Sequence, residues 1–109
     1  MHVQLDIRAH SPIPKATGLA FQIVASANLN GLRQEIWMQN AQTGVLELVD
    51  SRPATTTDQT VRVDLGRNFA RFIDPAGNIL ARVKWALTSQ IISRTWLINV
   101  DQAIWSAGL

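Results

Sequence analysis

The glycines and prolines of this chain fall between stretches in which apolar and polar residues alternate. They are Gly18, Gly31, Gly44, Gly66, Gly77, Gly108, Pro12, Pro14, Pro53 and Pro75. Successive side chains of a β-strand point to opposite faces, so a period of two indicates a strand with one buried face. Turn residues at intervals of about a dozen, with such stretches between them, are typical of an all-β sandwich or barrel. The sequence therefore predicts a single antiparallel, jelly-roll-like β-sandwich of about seven or eight strands across residues 1–109.

The alternating stretches also predict which residues form the core. The clearest stretches run over Val3 to Ile7, Leu19 to Ala25, Thr60 to Leu65 and Ile79 to Leu87. The last has the longest apolar row and includes Trp85, which is predicted to be buried. Trp96 also lies in an apolar row and is predicted to be a core residue.

Helical structure is expected to be scarce. Phe69 and Phe72 are three residues apart, which predicts one helical turn that closes an end of the sandwich. For two of the predicted strands, a helix is the alternative. Leu32 to Gln42 is rich in helix-forming residues, and Asp101 to Gly108 begins with an acid and ends near a glycine.

Composition excludes several classes of protein. Hydrophobic residues make up 47% of the chain and charged residues 17%, which is typical of a folded domain rather than a disordered segment. The formal charge of +2 is too small to make nucleic acid or an anionic membrane the default partner. The absence of cysteine excludes disulfides and thiolate metal sites. No stretch approaches the roughly 18 consecutive apolar residues of a membrane-spanning helix.

The N-terminal residues bear on localisation. They alternate from the start and show neither the basic nor the apolar region of a signal peptide. A chain that enters a strand so directly is expected to be a module of a longer protein. A complete, short cytoplasmic protein is the alternative.

Two segments resemble a known kind of module. The first contains IWMQN at 36–40, TG at 43–44 and LELVDSR at 46–52, and the second contains GNILARVKW at 77–85 and WLINVDQAIW at 96–105. Over residues 32–105 they resemble a β-sandwich module of secreted bacterial proteins, notably of planctomycete type, with strands like those of galactose-binding and carbohydrate-binding modules. The resemblance implies a non-catalytic accessory module of an exported protein, outside the cell or at its surface. The family has no assigned catalytic residues, so the resemblance supplies none.

Two of the four tryptophans are candidates for ligand binding. Trp37 shares strand parity with Arg33, Glu35 and Gln39. Trp105 shares it with Asn99 and Asp101. An aromatic ring on a polar face can stack on the apolar face of a sugar while nearby polar groups bind the hydroxyls. The alternative is that a loop or a neighbouring domain covers each ring. The predicted ligand-binding residues are Trp37, Trp105, Arg33, Glu35 and Gln39.

The other candidate chemistries are weaker. His2 and His10 lack an evident third metal ligand. Asp101 could bind calcium together with Asp6 or Asp50, although ion pairing with an arginine is the simpler role. No serine lies in a nucleophile elbow, and no pair of glutamates indicates glycoside hydrolysis. We therefore expect no enzymatic activity, no metal site and no cofactor, with a structural calcium ion left open.

Two functions remain after these exclusions. The first is an accessory module that binds polysaccharide through an exposed tryptophan. The second is a structural module that binds a neighbouring protein domain, a second copy of itself or a cell-surface layer. The high apolar fraction of this short chain is consistent with an apolar face that binds a partner.

Overall fold

The chain folds into two packed β-sheets, as the alternating pattern predicts. The computed structural model describes residues 2–10, 18–28, 31–65, 69–87 and 98–108. Its elements are β1 (His2–His10), β2 (Gly18–Ala27), β3 (Leu32–Gln39), β4 (Leu46–Pro53), β5 (Gln59–Asp64), a short 3-10 helix (Phe69–Phe72), β6 (Asn78–Leu87) and β7 (Ile98–Gly108). Within these ranges, no helix has the length and apolar character needed to cross a bilayer. The predicted burial of Trp96 lies outside the described residues.

The two segments for which a helix was the alternative form strands. Residues 32–39 form β3, and Asp101 to Gly108 belong to β7. Helix propensity is a weak local preference, and cross-strand hydrogen bonds with burial of one face override it here. The predicted helical turn at Phe69–Phe72 is confirmed as the 3-10 helix.

The strands alternate between the two sheets along the chain. One sheet has the order β1-β6-β3-β4 and the other has the order β5-β2-β7. All pairings are antiparallel. Only β3 and β4 are consecutive strands within one sheet. Each remaining connection between consecutive strands passes from one sheet to the other, so neither sheet is formed from one continuous segment.

The core lies between the sheets and receives the inward row of each strand. Phe21 and Ile23 of β2 contribute from the three-stranded sheet, while Ile36 of β3 and Trp85 of β6 contribute from the other. Trp85 is 1% exposed, which confirms its predicted burial. Its indole Nε1 donates a hydrogen bond of 2.9 Å to Oε1 of Gln34, the buried polar residue of the described core. This bond satisfies a donor that burial would otherwise leave without a partner.

A register shift sets which residues of β4 face outward. Ile36 pairs with Asp50, whereas the next residue, Trp37, pairs with Leu48, so Val49 has no direct partner on β3. Such a bulge reverses the facing of the residues that follow it. Val49 packs against the core, and Leu48 lies beside Trp37 on the outer side of the sheet.

Candidate functional site

The outer side of the four-stranded sheet carries most of the residues predicted to bind a ligand. Residues on this side are exposed or half-buried, whereas the inward rows of the two central strands, β6 and β3, are buried. We call this side the open face. Its described side chains are Gln4, Asp6, Arg8 and His10 of β1; Asn78, Leu80, Arg82, Lys84 and Ala86 of β6; Arg33, Glu35, Trp37 and Gln39 of β3; and Leu46, Leu48, Ser51 and Pro53 of β4.

Trp37 lies near the middle of the open face. Its direct cross-strand partners are Arg82 on β6 and Leu48 on β4. Directly opposed residues have Cβ atoms about 4.5–5.5 Å apart, so both neighbours are within contact range of the ring. The indole Nε1 lies 3.4 Å from Oε1 of Glu35 and donates a long hydrogen bond to it. The ring is half-buried, and Leu48 beside it is 48% exposed.

The other predicted residues of β3 lie in line with Trp37. Arg33 donates from Nε to Oγ of Ser51 at 2.8 Å, and Gln39 donates from Nε2 to the carbonyl oxygen of Gly44 at 3.3 Å. Residues two apart on a strand are separated by about 7 Å, so the row from Arg33 to Gln39 extends over about 20 Å. The structure thus brings four of the five predicted residues onto one linear surface.

Trp105 belongs to a different part of the fold. Its backbone pairs with Phe21 in the three-stranded sheet, so Trp37 and Trp105 do not belong to one sheet. A register shift also interrupts β7, because Val24 pairs with Gln102 and the next residue, Ala25, pairs with Val100. Parity therefore does not run unbroken from Asn99 to Trp105. The side chain of Trp105 lies outside the described part of the structure, and its binding role stays a prediction.

A cleft continues the open face at one end of the sandwich. Its volume is about 410 Å³. Arg8, Gln39 and Leu80 reach it from the open face, while Phe72 and the turn that contains Asp74 form other parts of its wall. Three separate segments of the chain meet here, at residues 8–9, 39–44 and 72–80. Sequence reasoning missed this cleft, because its only local signals are the two glycine-containing turns beside it.

The Asp74 turn holds one wall of the cleft in place. The Asp74 carboxylate accepts hydrogen bonds from the backbone nitrogens of Ala76 and Asn78 at 2.9 and 2.8 Å, and from Nδ2 of Asn78 at 3.1 Å. Gly77 adopts a φ of 89°, which favours glycine. The hydrogen bonds from Asn78 are the main cause of the lowered pKa of Asp74. Asp74 is therefore a turn residue, held by hydrogen bonds from its own turn.

A second network ties the 3-10 helix to β4 and to the turn that precedes it. Glu47 of β4 accepts hydrogen bonds from Nδ2 of Asn40 at 3.0 Å and from Nε of Arg71 at 3.2 Å. The Arg71 guanidinium carbon lies 4.1 Å from the centre of the Phe72 ring. The hydrogen bond from Asn40 is the main cause of the lowered pKa of Glu47. The hydrogen bond and the positive charge of Arg71 lower this pKa further. These contacts position the Phe72 ring at the cleft.

Carboxylates with lowered pKa values predict acid sensitivity. The bidentate contact with Arg82 lowers the pKa of Asp6. The pKa values of Glu47 and Asp74 are lowered by the hydrogen bonds described above. A carboxyl group whose pKa is lower in the folded state stabilises the fold above its unfolded pKa, and this contribution disappears as pH falls through the folded pKa. We expect the free energy of unfolding to decline progressively below about pH 4.5, the ordinary pKa of a glutamate. Urea titrations at several pH values measure this decline.

Asp6→Asn provides the matched control for that titration. It removes one of the three carboxylates, so the variant should lose less stability than the parent between neutral and acidic pH. An identical pH profile for parent and variant would contradict the contribution of Asp6.

The described residues give no support to a metal site. No group of three or more His, Asp or Glu side chains in this part of the chain could hold a metal ion. Asp6 forms an ion pair with Arg82 at 2.8 Å, and Asp50 forms one with Arg52 at 2.7 Å. His10 donates from Nε2 to the carbonyl oxygen of Ala76 at 2.6 Å. The calcium hypothesis also involves Asp101, whose side chain lies outside the described residues.

Comparisons with protein-family models, with curated proteins and with solved structures gave no match for the chain. The resemblance to a module of secreted bacterial proteins therefore rests on the two sequence segments. The structure itself shows an all-β fold of two antiparallel sheets.

Proposed function

We propose that this chain is a non-catalytic accessory module that binds polysaccharide on the open face, with Trp37 as the stacking platform. The observation that supports this most directly is the position of Trp37, half-buried near the middle of an otherwise largely polar sheet surface. Partial burial fixes the ring, because Leu48 and Arg82 flank it. A fixed aromatic ring loses little conformational freedom when a ligand binds.

The surroundings of the ring suit a sugar polymer. Glu35 and Gln39 lie on either side of Trp37 along β3 and offer hydrogen-bonding groups to ligand hydroxyls. An extended row of about 20 Å fits consecutive units of a linear chain better than a single small molecule. Together with the resemblance, this surface supports an accessory role in a longer exported protein that acts outside the cell or at its surface.

Replacing Trp37 with alanine tests the proposal. We expect the dissociation constant for the bound polysaccharide to rise by about 30-fold or more, since a central tryptophan of an interface typically contributes about 2 kcal/mol or more. Affinity electrophoresis and calorimetry across a panel of celluloses, xylans, pectins and galactans measure this, with and without calcium. Ile104→Ala, at an exposed apolar residue of the three-stranded sheet, is the matched control and should bind normally.

The alternative function is a protein-interaction module. It is favoured by the exposed apolar side chains of β4 and the turn before it, since Val45 is 59% exposed and Leu48 lies beside Trp37. The two functions differ in what the parent chain does. If the parent ignores the whole polysaccharide panel and associates with itself in sedimentation experiments, the carbohydrate proposal is wrong and the interaction module replaces it.

A further inference from the structure

Unpaired cations are concentrated on the open face. Seven lysine and arginine side chains are described, and four of them form ion pairs: Arg52 with Asp50, Arg62 with Asp64, Arg71 with Glu47, and Arg82 with Asp6. The other three are Arg8, Arg33 and Lys84, which make no ion pair with any described residue. All three lie on the open face.

The acids of the open face do not balance these cations. Asp6 already accepts two hydrogen bonds from Arg82, at 2.8 and 3.1 Å. Glu35 accepts the indole hydrogen bond of Trp37 and lies opposite Lys84, with which it forms no ion pair. The described face thus has four basic and two acidic side chains. On β5 of the other sheet, by contrast, Arg62 and Asp64 compensate each other at 3.5 Å.

The unpaired cations lie around Trp37 rather than at one edge of the face. Arg33 is four residues from Trp37 on the same strand, a distance of about 14 Å. Arg8 lies two strands away and two residues further along, about 12 Å from Trp37 by the usual strand spacings, and it lines the cleft. Lys84 is on the strand between them. A polymer seated on the ring therefore passes within reach of positive charge on several sides.

We propose that the polysaccharide is acidic, with carboxylate-bearing sugar units that contact Arg8, Arg33 and Lys84 while one ring stacks on Trp37. This inference rests on the proposed function and specifies its ligand class. Arginine forms planar, paired hydrogen bonds with carboxylates, and lysine supplies a point charge. A neutral polysaccharide would offer no negative charge to these three cations. Nucleic acid is the competing class of polyanion, and the test below includes a DNA oligonucleotide.

Polygalacturonate and its fully methyl-esterified form provide the test, because they share a backbone and differ in free carboxylates. We expect the parent chain to bind polygalacturonate, to weaken as salt is raised, and to bind the esterified form at least about tenfold less well. Arg8→Gln, Arg33→Gln and Lys84→Gln should each weaken binding by roughly two- to fivefold, as exposed ion pairs do, and the triple variant by about tenfold or more. Arg62→Gln, on the other sheet, is the matched control and should have no effect.

The outcomes separate this inference from the proposed function. Equal, salt-insensitive binding of both polymers, still dependent on Trp37, would overturn the acidic class and leave the polysaccharide function standing. A failure of the parent to bind any polysaccharide would overturn both. Equally tight binding of a DNA oligonucleotide, with the same loss in the triple variant, would overturn the assignment to an acidic polysaccharide. Circular dichroism of each variant verifies that loss of binding is not loss of folding.

Discussion

Trp85→Ala is expected to lower the free energy of unfolding by about 3–5 kcal/mol, the usual cost of deleting a buried tryptophan side chain. The side chain is 1% exposed and lies on β6, a central strand that pairs with both β1 and β3. A small domain has only about 5–15 kcal/mol of stability in total, so the variant should fail to fold or should melt far below the parent. Urea denaturation followed by circular dichroism measures the change.

A second substitution at Trp85 separates side-chain volume from hydrogen bonding, and a substitution at Trp37 is the control. Trp85→Phe keeps most of the apolar contact and removes the indole donor to Gln34, so it should cost about 1–3 kcal/mol through the unpaired buried amide. Trp37→Ala makes the same truncation on the open face of the neighbouring strand and should cost about 1 kcal/mol or less. If Trp85→Ala melted within a few degrees of the parent, the burial of this side chain would not be stabilising the core.

Phe72→Ala is expected to have the second large effect, also about 3–5 kcal/mol. Phe72 is 1% exposed and packs into the end of the core from the 3-10 helix, where it also lines the cleft. Its removal deletes the ring on which the Arg71 guanidinium rests. Thermal and urea denaturation measure the loss.

Phe69→Ala is the matched control within the same helix. Phe69 is only half-buried, so its truncation should cost clearly less than that of Phe72. Equal losses in the two variants would show that the helix stabilises the fold as a unit rather than through the Phe72 ring.

Much of the candidate site follows from local sequence pattern. Because side chains alternate along a strand, parity alone places Arg33, Glu35, Trp37 and Gln39 on one face of β3 and Trp85 on the inward face of β6. The turn residues behave in the same way. Gly44 and Gly77 adopt positive φ angles where the sequence predicts turns. These features depend only on residues close together in the chain, so they can be predicted from the sequence alone.

The rest of the site depends on which strands become neighbours and in what register. The pairing of β3 with β6 places Arg82 beside Trp37, and the bulge in β4 places Leu48 rather than Val49 on its other side. The cleft likewise exists only where separate segments meet.

The sequence by itself determined the faces of the strands, because the alternation of side chains is a local property of the extended backbone. Only the tertiary structure decided which charges are neutralised. Arg82 lies opposite Asp6, a residue 76 positions away in the chain, whereas Arg8 lies opposite the apolar Leu80. Cross-strand register, a bulge of one residue and the packing of two sheets are set by contacts between distant segments, and no local pattern records them.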